Sequence, residues 1–413
     1  MSSTCRHRDD CRLCGSRELV RVLELAPTPP ANAFVPENKL AEPQESFPLD
    51  VWLCGNCKHI QLLDIVDPAV LFGDYPYVSG TSPVFVRHFE DYAAGIVTRF
   101  SLRRDDLVVD VGSNDGTLLK PFQAAGMKVL GIDPAQAIAA AASASGIETL
   151  PDFFTRETAA HIGEQHGQAM CITANNVFAH IDDLAGTADA VRELLAPEGI
   201  FVFEVSYFVD VFEKTLFDTI YHEHLDYHTV GPLPHFFAGH GLDLFAVERI
   251  DTHGGSLRGF VQLAGGRHER LGVEALVDEE IALGVDREEI LRDYSSRIAD
   301  LGHKLGALLA GLRDDGKRIA GYGAPAKATT LMHHFGIGPK EIEFIVDDNP
   351  LKQSLYSPGL HVPVLPSISI AEREPDYLLI LAWNFAEPIM EKCADFAQGG
   401  GRFIVPLPDI RVI

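Results

Sequence analysis

Apolar residues recur at helical spacing in two segments of the chain. Residues 84–100 predict an amphipathic helix, because large apolar side chains fall on one face: Phe85, Phe89, Tyr92, Ile96 and Phe100. Residues 290–312 predict a longer helix, whose apolar positions alternate between steps of four and three residues. Short, wholly apolar runs occur before and after this second segment, and they predict buried strands.

These apolar runs alternate with helical stretches. In the first half of the chain they are LVVDVG, KVLGIDP, AMCITANNVF and GIFVFEVSY. Such a βαβα rhythm favours a mostly parallel sheet with helices on both faces. Similar strand-then-turn signals return near the C-terminus in KRIAGYGAPAKATTLM, EIEFIVDDNP and DYLLILAWNF. We therefore predict a second, smaller α/β unit there.

The N-terminal segment lacks this rhythm and is rich in cysteine. Cys11-Arg-Leu-Cys14 and Cys54-Gly-Asn-Cys57 form two CxxC pairs, separated by a proline-rich stretch. Two such pairs can complete a tetrahedral Cys₄ site, so we predict a zinc ion that is structural because four thiolates close its coordination sphere. Four unrelated thiols are the alternative. A redox CxxC is less favoured, since neither pair follows a strand of a βαβ pattern.

Length and charge narrow the functional classes. The 413 residues allow two to four domains, and 34 basic against 59 acidic residues give a net charge of -25. This charge disfavours nucleic-acid binding but permits a small phosphorylated ligand in a local basic pocket. No apolar run approaches the ~18 residues of a membrane span, and the N-terminus lacks the apolar region of a secretory signal. We expect a cytoplasmic monomer with neither nucleic-acid nor membrane partners.

A glycine-containing turn follows the first apolar run of the α/β unit. Gly112 and Gly116 permit a tight turn and close approach to a ligand. Asp133 ends the next apparent strand, where a carboxylate can accept both hydroxyls of an adenosine ribose. The turn is not a dinucleotide GxGxxG motif, and acidic residues such as Asp110 suit a cationic sulfonium better than a diphosphate. We therefore predict a site for S-adenosylmethionine (SAM), to which Asn114 also contributes. The alternatives are a site for another nucleotide and an empty turn.

Two further segments are predicted to contribute to the cofactor site. Asp152, Phe153 and Phe154 follow the next apparent strand, where they could flank an adenine. An aromatic pair in the hydrophobic core is the alternative for the two phenylalanines. Asn175 lies at the end of the third apolar run, and we predict that it also contacts the cofactor.

The segment YHEHLDYH, residues 221–228, is the densest polar and aromatic cluster in the chain. It follows the fourth apolar run, and loops beyond strand C-termini line the ligand crevice of a doubly wound sheet. Histidine and tyrosine transfer protons near neutral pH, and glutamate can set a histidine tautomer. A His-x-His metal site and a solvated loop are alternatives. His180 follows another strand and either reaches the same crevice or is a core or rim residue.

The C-terminal unit contains its own glycine turn, in which Gly321 and Gly323 precede a helix that carries Lys327. Exposed backbone amides at a helix N-terminus and a lysine favour phosphate binding. The segment HGGSLR, which includes His253 and Arg258, offers another flexible, cationic corner. The predicted substrate-binding residues are Tyr207, His253, Arg258, Tyr322, Gly323 and Lys327. A turn that needs glycine only for packing is the alternative.

The order of these motifs resembles that of the SAM-dependent sugar C-methyltransferases. The motifs are CRLCG, CGNC, DVGSNDGTLL, GIDP, NNVFAHIDD, TIYHEHLDYHT, HGGSLR, YGAPAKATTL and DDNPLKQSLYSPG. This family acts on nucleotide-linked keto sugars in branched deoxysugar biosynthesis, tetronitrose included. The resemblance covers nearly the whole chain, and YHEH together with YGAPAKA discriminates most.

The resemblance implies an α/β protein of three modules. A zinc-binding module occupies residues 1–74. Residues 75–246 form a class I (Rossmann-like) methyltransferase core, which binds SAM. Residues 247–413 form a C-terminal Rossmann-like module, which binds the sugar nucleotide. It also implies site residues: Tyr221, Glu223 and His224 match the catalytic loop, with His224 as the base, and His180 matches a histidine near the reacting sugar.

The implied reaction is C-methylation of a nucleotide-linked 4-keto-deoxysugar, with dTDP as the nucleotide and C-3 as the methylated carbon. His224 would remove the C-3 proton, and Tyr221 or His180 would hydrogen-bond the developing enolate oxygen. The alternatives are an O- or N-methyltransferase, a nicotinamide-dependent sugar oxidoreductase and a non-catalytic zinc-ribbon interaction protein.

Overall fold

The computed structural model describes residues 4–72, 83–252 and 254–413. Its N-terminal elements are β1 (Cys5–His7), β2 (Leu19–Thr28), β3 (Val35–Pro36), β4 (Phe47–Cys54), β5 (Ile60–Leu62), β6 (Asp64–Val66) and α1 (Pro68–Phe72). β2, β4 and β5 form an antiparallel sheet, and β1 pairs with β6. This small sheet carries the two cysteine pairs, because Cys54 ends β4 and Cys11 lies in the loop before β2.

The middle of the chain alternates strands with helices, as predicted. Its elements are α2 (Pro83–Phe100), β7 (Leu107–Val111), α3 (Leu119–Ala124), β8 (Lys128–Ile132), α4 (Gln136–Ala144), β9 (Thr149–Leu150), α5 (Arg156–His166), β10 (Ala169–Asn175), α6 (Leu184–Leu194), β11 (Leu195–Ser206), α7 (Phe208–Glu213), β12 (Asp226–Tyr227), α8 (Leu233–Gly239), β13 (Leu242–Ile250) and β14 (Ser256–Leu263). The predicted helix over 84–100 is confirmed as α2, which buries Phe89, Tyr92, Ile96 and Phe100.

All of these strands except β12 form one sheet, in the order β13-β14-β11-β10-β7-β8-β9. The neighbouring strands β11, β10, β7, β8 and β9 are parallel, whereas β14 runs antiparallel to β11 and to β13. The first strand of the α/β rhythm, β7, therefore lies near the middle, and the loops after β7, β8, β10 and β11 meet at one edge. The sheet also runs past residue 246, the predicted end of the core, because β14 belongs to it.

The C-terminal part is a second α/β unit, again as predicted. Its elements are α9 (Val273–Leu283), α10 (Glu288–Asp314), β15 (Ile319–Tyr322), α11 (Ala326–Phe335), β16 (Ile345–Val346), β17 (Leu355–Tyr356), β18 (Val364–Leu365), α12 (Ser369–Arg373), β19 (Tyr377–Ile380), α13 (Ala386–Lys392), α14 (Ala394–Gln398), β20 (Arg402–Val405) and β21 (Arg411–Val412). The sheet order is β18-β16-β15-β19-β20-β21, parallel except for β21. The long helix predicted over 290–312 is α10.

The units interlock through short strands. β12, which lies inside the histidine-rich segment, pairs with β5 of the N-terminal sheet. β3 of the N-terminal unit pairs with β17 of the C-terminal unit, and α11 packs against β2. The histidine-rich segment therefore lies where all three units meet. Among the described helices, none combines the length and the apolar character that a membrane span requires.

Candidate active site and zinc centre

The two CxxC pairs come together as one cluster of four sulfur atoms. The Sγ atoms of Cys11 and Cys57 lie 3.5 Å apart, those of Cys14 and Cys54 3.6 Å apart, and all four lie within 4.8 Å of one another. A tetrahedral zinc with Zn–S bonds of about 2.3 Å requires sulfur–sulfur distances of roughly 3.8 Å. The donor set and its spacing therefore fit zinc.

The same backbone turn shapes both cysteine pairs. The amide of Gly15 donates to the carbonyl of Cys11 at 2.8 Å, and the amide of Lys58 donates to the carbonyl of Cys54 at 3.0 Å. Gly15 and Lys58 both have positive φ, +69° and +67°. This repetition of one turn presents the two thiols of each pair to the same point.

The cluster is joined to the histidine-rich segment by buried polar contacts. His59, two residues after Cys57, meets Asp226 at 2.6 Å between Nε2 and Oδ1, and both side chains are fully buried. Burial alone would raise the pKa of Asp226, but the nearby charges of Arg12 and His59 lower it. Arg12 also donates to Asp182 at 3.0 Å. The contact between His59 and Asp226 therefore connects the zinc-binding module to the segment 221–228.

The first glycine turn is as tight as its sequence predicted. Gly112 and Gly116 have φ of +68° and +73°. A β-carbon at Gly112 would lie 2.3 Å from Cγ2 of Val177, and one at Gly116 would lie 2.9 Å from Cγ2 of Ile147. Only glycine satisfies both the backbone conformation and the close packing at these positions.

Asp133 stands at the end of β8 and faces this turn. Its carboxylate accepts hydrogen bonds from the amides of Asn114 and Ala135, both at 2.9 Å. Each carboxylate oxygen has a second lone pair, so the group keeps the capacity to accept hydroxyls of a ribose. Burial raises the pKa of Asp133. The turn and the carboxylate are thus placed together, as the sequence predicted.

A pocket beside the turn is lined by a polar side chain, Asn175, whose amide has no hydrogen bond of good geometry among the described residues. The pocket is lined by Phe89, Asp110, Gly112, Ser113, Thr117, Leu118 and Asn175. The Tyr92 hydroxyl lies near the Asn175 amide, but neither group has a hydrogen-bond partner of good geometry among the described residues. Buried amides are rarely left unpaired. The unpaired amide and the glycine turn beside it therefore fit a polar ligand such as SAM.

The remaining predicted cofactor residues differ in their surroundings. Asp110 is buried and accepts from the Thr173 hydroxyl at 2.6 Å, and burial raises its pKa to about 7. Asp152 accepts from the amide of Phe153, whose ring is 54% exposed. Phe154, in contrast, is buried in the hydrophobic core, which is the alternative that its sequence had left open.

The rings of Tyr221, His224 and His180 form a compact aromatic and polar cluster. The ring centroids of Tyr221 and His224 lie 4.0 Å apart, and those of His180 and His224 lie 4.9 Å apart in a stacked arrangement. Burial, and then the neighbouring His224, lowers the pKa of His180 well below its usual range. His180 is therefore held neutral beside His224.

The tautomer of His224 follows from one hydrogen bond. Its Nδ1 lies 2.7 Å from the carbonyl oxygen of Thr219. A carbonyl can only accept, so Nδ1 carries a proton, and Nε2 is the nitrogen of this ring that can act as a base. A histidine oriented in this way can act as a general base.

Glu223 and His222, although adjacent to this cluster, face the N-terminal unit. Glu223 accepts a hydrogen bond from Nδ2 of Asn32 at 3.0 Å. His222 approaches the carbonyls of Phe47 and Pro48 at 3.3 and 3.1 Å, and burial lowers its pKa to about 4. The two histidines of the His-x-His spacing thus bond to different carbonyls. Within the described ranges, the four cysteines are the one group of three or more potential metal ligands.

Two predicted substrate residues have internal partners in the structure. Tyr207 is fully buried in the core, and its hydroxyl donates to Glu280 at 2.8 Å. Arg258 donates to Glu204 at 2.7 Å and lies over the ring of Tyr92 at 4.3 Å. Burial alone would raise the pKa of Glu204, but His88 and Arg258 lower it to about 2. Neither side chain is placed as a free substrate contact, and His253 lies outside the described residues.

The C-terminal glycine turn does not expose its amides, contrary to the sequence-based expectation. Gly321 and Gly323 donate to the carbonyls of Phe344 and Val346, both at 2.7 Å. Gly323 has φ of +86°, and a β-carbon there would lie 2.5 Å from that of Ala382. The prediction of a backbone phosphate cradle at these glycines is therefore wrong, because the strand ladder uses their amides. The packing alternative explains Gly323.

Lys327 and Tyr322 lie at this turn, and Lys327 is close to Asp218, which precedes the histidine-rich segment. The Nζ of Lys327 donates to Asn384 at 2.7 Å and stands 3.4 Å from the ring centroid of Trp383. Burial lowers the pKa of Lys327 to about 8, although Asp218 opposes the shift. The Tyr322 hydroxyl donates to Asp348 at 3.3 Å. The helix of Lys327 is fixed to the segment by its Thr330 hydroxyl, which donates to the Ile220 carbonyl at 2.7 Å.

Two residues near Glu223 were missed by the sequence analysis. Asn32 lies in the proline-rich stretch between the cysteine pairs, where no motif marks it. Lys352 lies in the DDNPLKQSLYSPG motif and donates to the carbonyl of Ala324 at 2.8 Å. The charge of Glu223 also acts on the pKa of Lys352. The motif itself was the only available signal, and it did not single out this lysine.

Three family models match successive parts of the chain. Residues 11–72 match the family described as "Putative zinc binding domain", residues 85–247 that described as "Methyltransferase domain", and residues 251–408 that described as "C-methyltransferase C-terminal domain". The first match contains all four cysteines of the cluster. The second contains the glycine turn, Asp133, Asn175 and the Tyr221–His224–His180 cluster.

A curated relative matches along the full length. The C-methyltransferase NovU of Streptomyces niveus is 38% identical over 414 residues, which cover 100% of this chain and 99% of the relative. Among solved structures, the SAM-bound magnesium protoporphyrin IX methyltransferase of Synechocystis PCC 6803 is 13% identical over 46% of this chain and 86% of that one, with a TM-score of 0.33. A methyltransferase in a Haloferax volcanii activator complex gives 16% over 43% and 97%, with a TM-score of 0.33.

The family models and the full-length relative decide between the alternatives left by the sequence. The fold is α/β, with a class I methyltransferase core between a zinc-binding module and a C-terminal α/β module. Its cofactors are SAM, for which the glycine turn and Asn175 form a fitting site, and a zinc ion held by the four cysteines. The protein belongs to the SAM-dependent C-methyltransferases.

Proposed function

We propose that the protein methylates C-3 of a nucleotide-linked 4-keto-deoxysugar, with dTDP as the nucleotide, through an enolate. The observation that carries the proposal is the hydrogen bond from Nδ1 of His224 to the Thr219 carbonyl, which makes Nε2 the basic nitrogen of the ring. Carbon becomes nucleophilic when an adjacent carbonyl can hold charge, and a 4-keto sugar offers such a carbon at C-3. The motif resemblance supports the sugar as substrate.

His224 acts as the base in this scheme. Its Nε2 accepts the C-3 proton, and the C–H electron pair passes into the C-3–C-4 bond while the carbonyl becomes an enolate oxygen. Tyr221 or His180, whose rings flank His224, donates a hydrogen bond to that oxygen. SAM, when bound, would supply the methyl group to C-3: the S–CH₃ bond breaks, its electron pair stays on sulfur and S-adenosylhomocysteine leaves. The C-4 carbonyl re-forms as C-3 takes up the methyl group, and His224 afterwards releases its proton to solvent.

The three modules divide the work of binding and catalysis. In the proposed arrangement, Asp110, Gly112, Asn114, Gly116, Asp133, Asp152, Phe153 and Asn175 bind SAM. Lys327, on the helix that is bonded to the Ile220 carbonyl, is proposed to face the nucleotide diphosphate. The zinc centre supports the segment that carries Tyr221 and His224, through the buried His59–Asp226 contact.

Proton exchange in the absence of SAM tests the proposal directly. We expect the enzyme to exchange the C-3 hydrogen of a dTDP-linked 4-keto sugar with deuterium from solvent. His224→Ala should slow exchange and methylation by about 10²-fold or more, because a general base contributes roughly 10²–10⁴-fold. Its affinity for SAM should stay unchanged, since His224 lies outside the glycine turn.

Other results would reject the proposal in distinguishable ways. Methylation without any exchange would indicate an oxygen or nitrogen acceptor, and near-normal turnover of His224→Ala would remove that residue as the base. Parallel assays with GDP- and CDP-linked keto sugars test the nucleotide. Carbon NMR of the product identifies the methylated carbon.

A further inference from the structure

A side chain of the zinc-binding module reaches into the catalytic segment. Nδ2 of Asn32 donates to Oε1 of Glu223 at 3.0 Å, across a separation of 191 residues. Glu223 is 4% exposed, so this hydrogen bond is made where water has little access. A hydrogen bond to a buried acceptor constrains the orientation of that acceptor more than one at the surface does.

The position of Asn32 is fixed from both sides of its loop. Before it, the Ala31 carbonyl accepts from the buried Thr329 hydroxyl of α11 at 2.9 Å. Within the loop, the amide of Phe34 donates to the carbonyl of Asn32 itself at 2.9 Å. After it, β3 pairs with β17, with Val35 opposite Tyr356. The C-terminal module therefore holds the loop, while the side-chain amide of Asn32 reaches Glu223 in the methyltransferase core.

The C-terminal module also brings a cation to the same carboxylate. Lys352 lies under the ring of Phe34, 5.2 Å from its centroid, and its Nζ donates to the Ala324 carbonyl. Burial lowers the pKa of Lys352, and the charges of Asp347 and Glu223 oppose that shift. Glu223 is thus approached by a donor from the N-terminal module and by an ammonium from the C-terminal one.

We propose that Asn32 is a positioning residue, through which the zinc-binding module orients the Glu223 carboxylate in the catalytic loop. The inference rests on the proposed function, in which the Tyr221–His224 segment carries out the chemistry. It gives the module a role beyond stability, because a side chain 18 residues after Cys14 then helps to set the geometry of catalysis.

The test compares two substitutions at Asn32 with one at Gln44. Asn32→Ala removes the donor, and Asn32→Asp keeps the shape but turns a second carboxylate toward Glu223. Gln44 lies in the same module, donates to the Ala33 carbonyl at 2.9 Å and accepts from the Gly359 amide at 2.6 Å. Gln44→Ala therefore loosens the same loop without removing a partner of Glu223.

We expect kcat to fall about tenfold in Asn32→Ala and further in Asn32→Asp, because small displacements at a reacting centre are costly. KM for SAM should stay within twofold in both variants, and Gln44→Ala should keep kcat within twofold. Zinc content and SAM affinity confirm folding. A kcat unchanged in Asn32→Ala, a higher kcat in Asn32→Asp than in Asn32→Ala, or an equal loss in Gln44→Ala overturns the inference.

Failure of the proposed function is recognised separately, by absence of exchange and methylation in the wild-type enzyme. The Asn32–Glu223 bond is then tested by thermal unfolding of Asn32→Ala, Glu223→Ala and the double variant. A positioning bond predicts that the double variant loses less Tm than the two single losses combined. Strictly additive losses would show that the two side chains do not act on each other, and the inference would fall.

Discussion

Two turns in this protein share one sequence pattern, a strand followed by glycines and a helix. In both, the glycine amides are bonded internally: Gly112 donates to Ile132, and Gly323 donates to Val346, each at 2.7 Å. Gly112 and Gly116 in the first turn, and Gly323 in the second, have positive φ and no room for a β-carbon. The backbone therefore does not distinguish a cofactor turn from a packing turn.

The side chains at the strand ends do distinguish them. Beside the first turn, the buried amide of Asn175 has no hydrogen bond of good geometry among the described residues, and the Asp133 carboxylate keeps spare acceptor capacity. Beside the second, Lys327 is bonded to Asn384 and Asp347 accepts from the Ala324 amide. At the first turn, the unsatisfied amide in the pocket, rather than the glycines, therefore indicates where a ligand binds.

The largest effect is expected from Gly112→Ala. The substitution places a β-carbon 2.3 Å from Val177 in a left-handed conformation, so the turn must move away from its cofactor geometry. Strain of about 1–3 kcal/mol, if all of it opposes binding, corresponds to a SAM affinity lower by ~5–150-fold, measured by calorimetry. Gly146→Ala is the control, because Gly146 has φ of +95° but open space around it. Unchanged SAM affinity in Gly112→Ala would contradict the assignment of this turn.

The equivalent change in the second turn should act on stability alone. Gly323→Ala brings a β-carbon within 2.5 Å of that of Ala382, and we expect a loss of about 2 kcal/mol in unfolding free energy. SAM affinity of the folded fraction should not change. Gly316→Ala, with positive φ and no neighbour within 4 Å, separates backbone strain from the clash. A weaker SAM affinity in Gly323→Ala would show that the two turns are coupled.

The sequence predicted those features that depend on local pattern. The apolar spacing gave α2 and α10 to within two residues at each end, and the CxxC spacing gave the zinc ligands. Features that depend on long-range contacts were missed. The contact of Asn32 with Glu223, for example, exists only in the folded chain, because 191 residues separate the two in sequence. Tyr207 was predicted as a substrate contact. No local pattern in the sequence shows that its hydroxyl donates to Glu280 in the hydrophobic core.

A smaller effect is expected from Asn175→Ala. Because the amide makes no hydrogen bond of good geometry within the described residues, its removal should hardly lower the unfolding free energy, and SAM affinity should fall by about tenfold, the equivalent of one lost hydrogen bond. Asn384→Ala, which removes an amide beside the second turn, should leave SAM affinity unchanged. A destabilised Asn175→Ala protein with normal SAM affinity would mean that the amide serves the fold.

The smallest effect concerns the charge of Lys327. Its ammonium form predominates below a pKa of about 8 and attracts a diphosphate, whereas the neutral amine above that pH does not. At saturating SAM, kcat/KM for the nucleotide sugar should therefore fall as pH rises through 8. Lys327→Met should lower kcat/KM about fivefold at pH 7 and remove this decline. Lys392→Met, which removes an exposed lysine of the same module, should leave both unchanged. If the decline persists without Lys327, the titrating cation lies elsewhere, and the second turn is a packing device with no share in the substrate site.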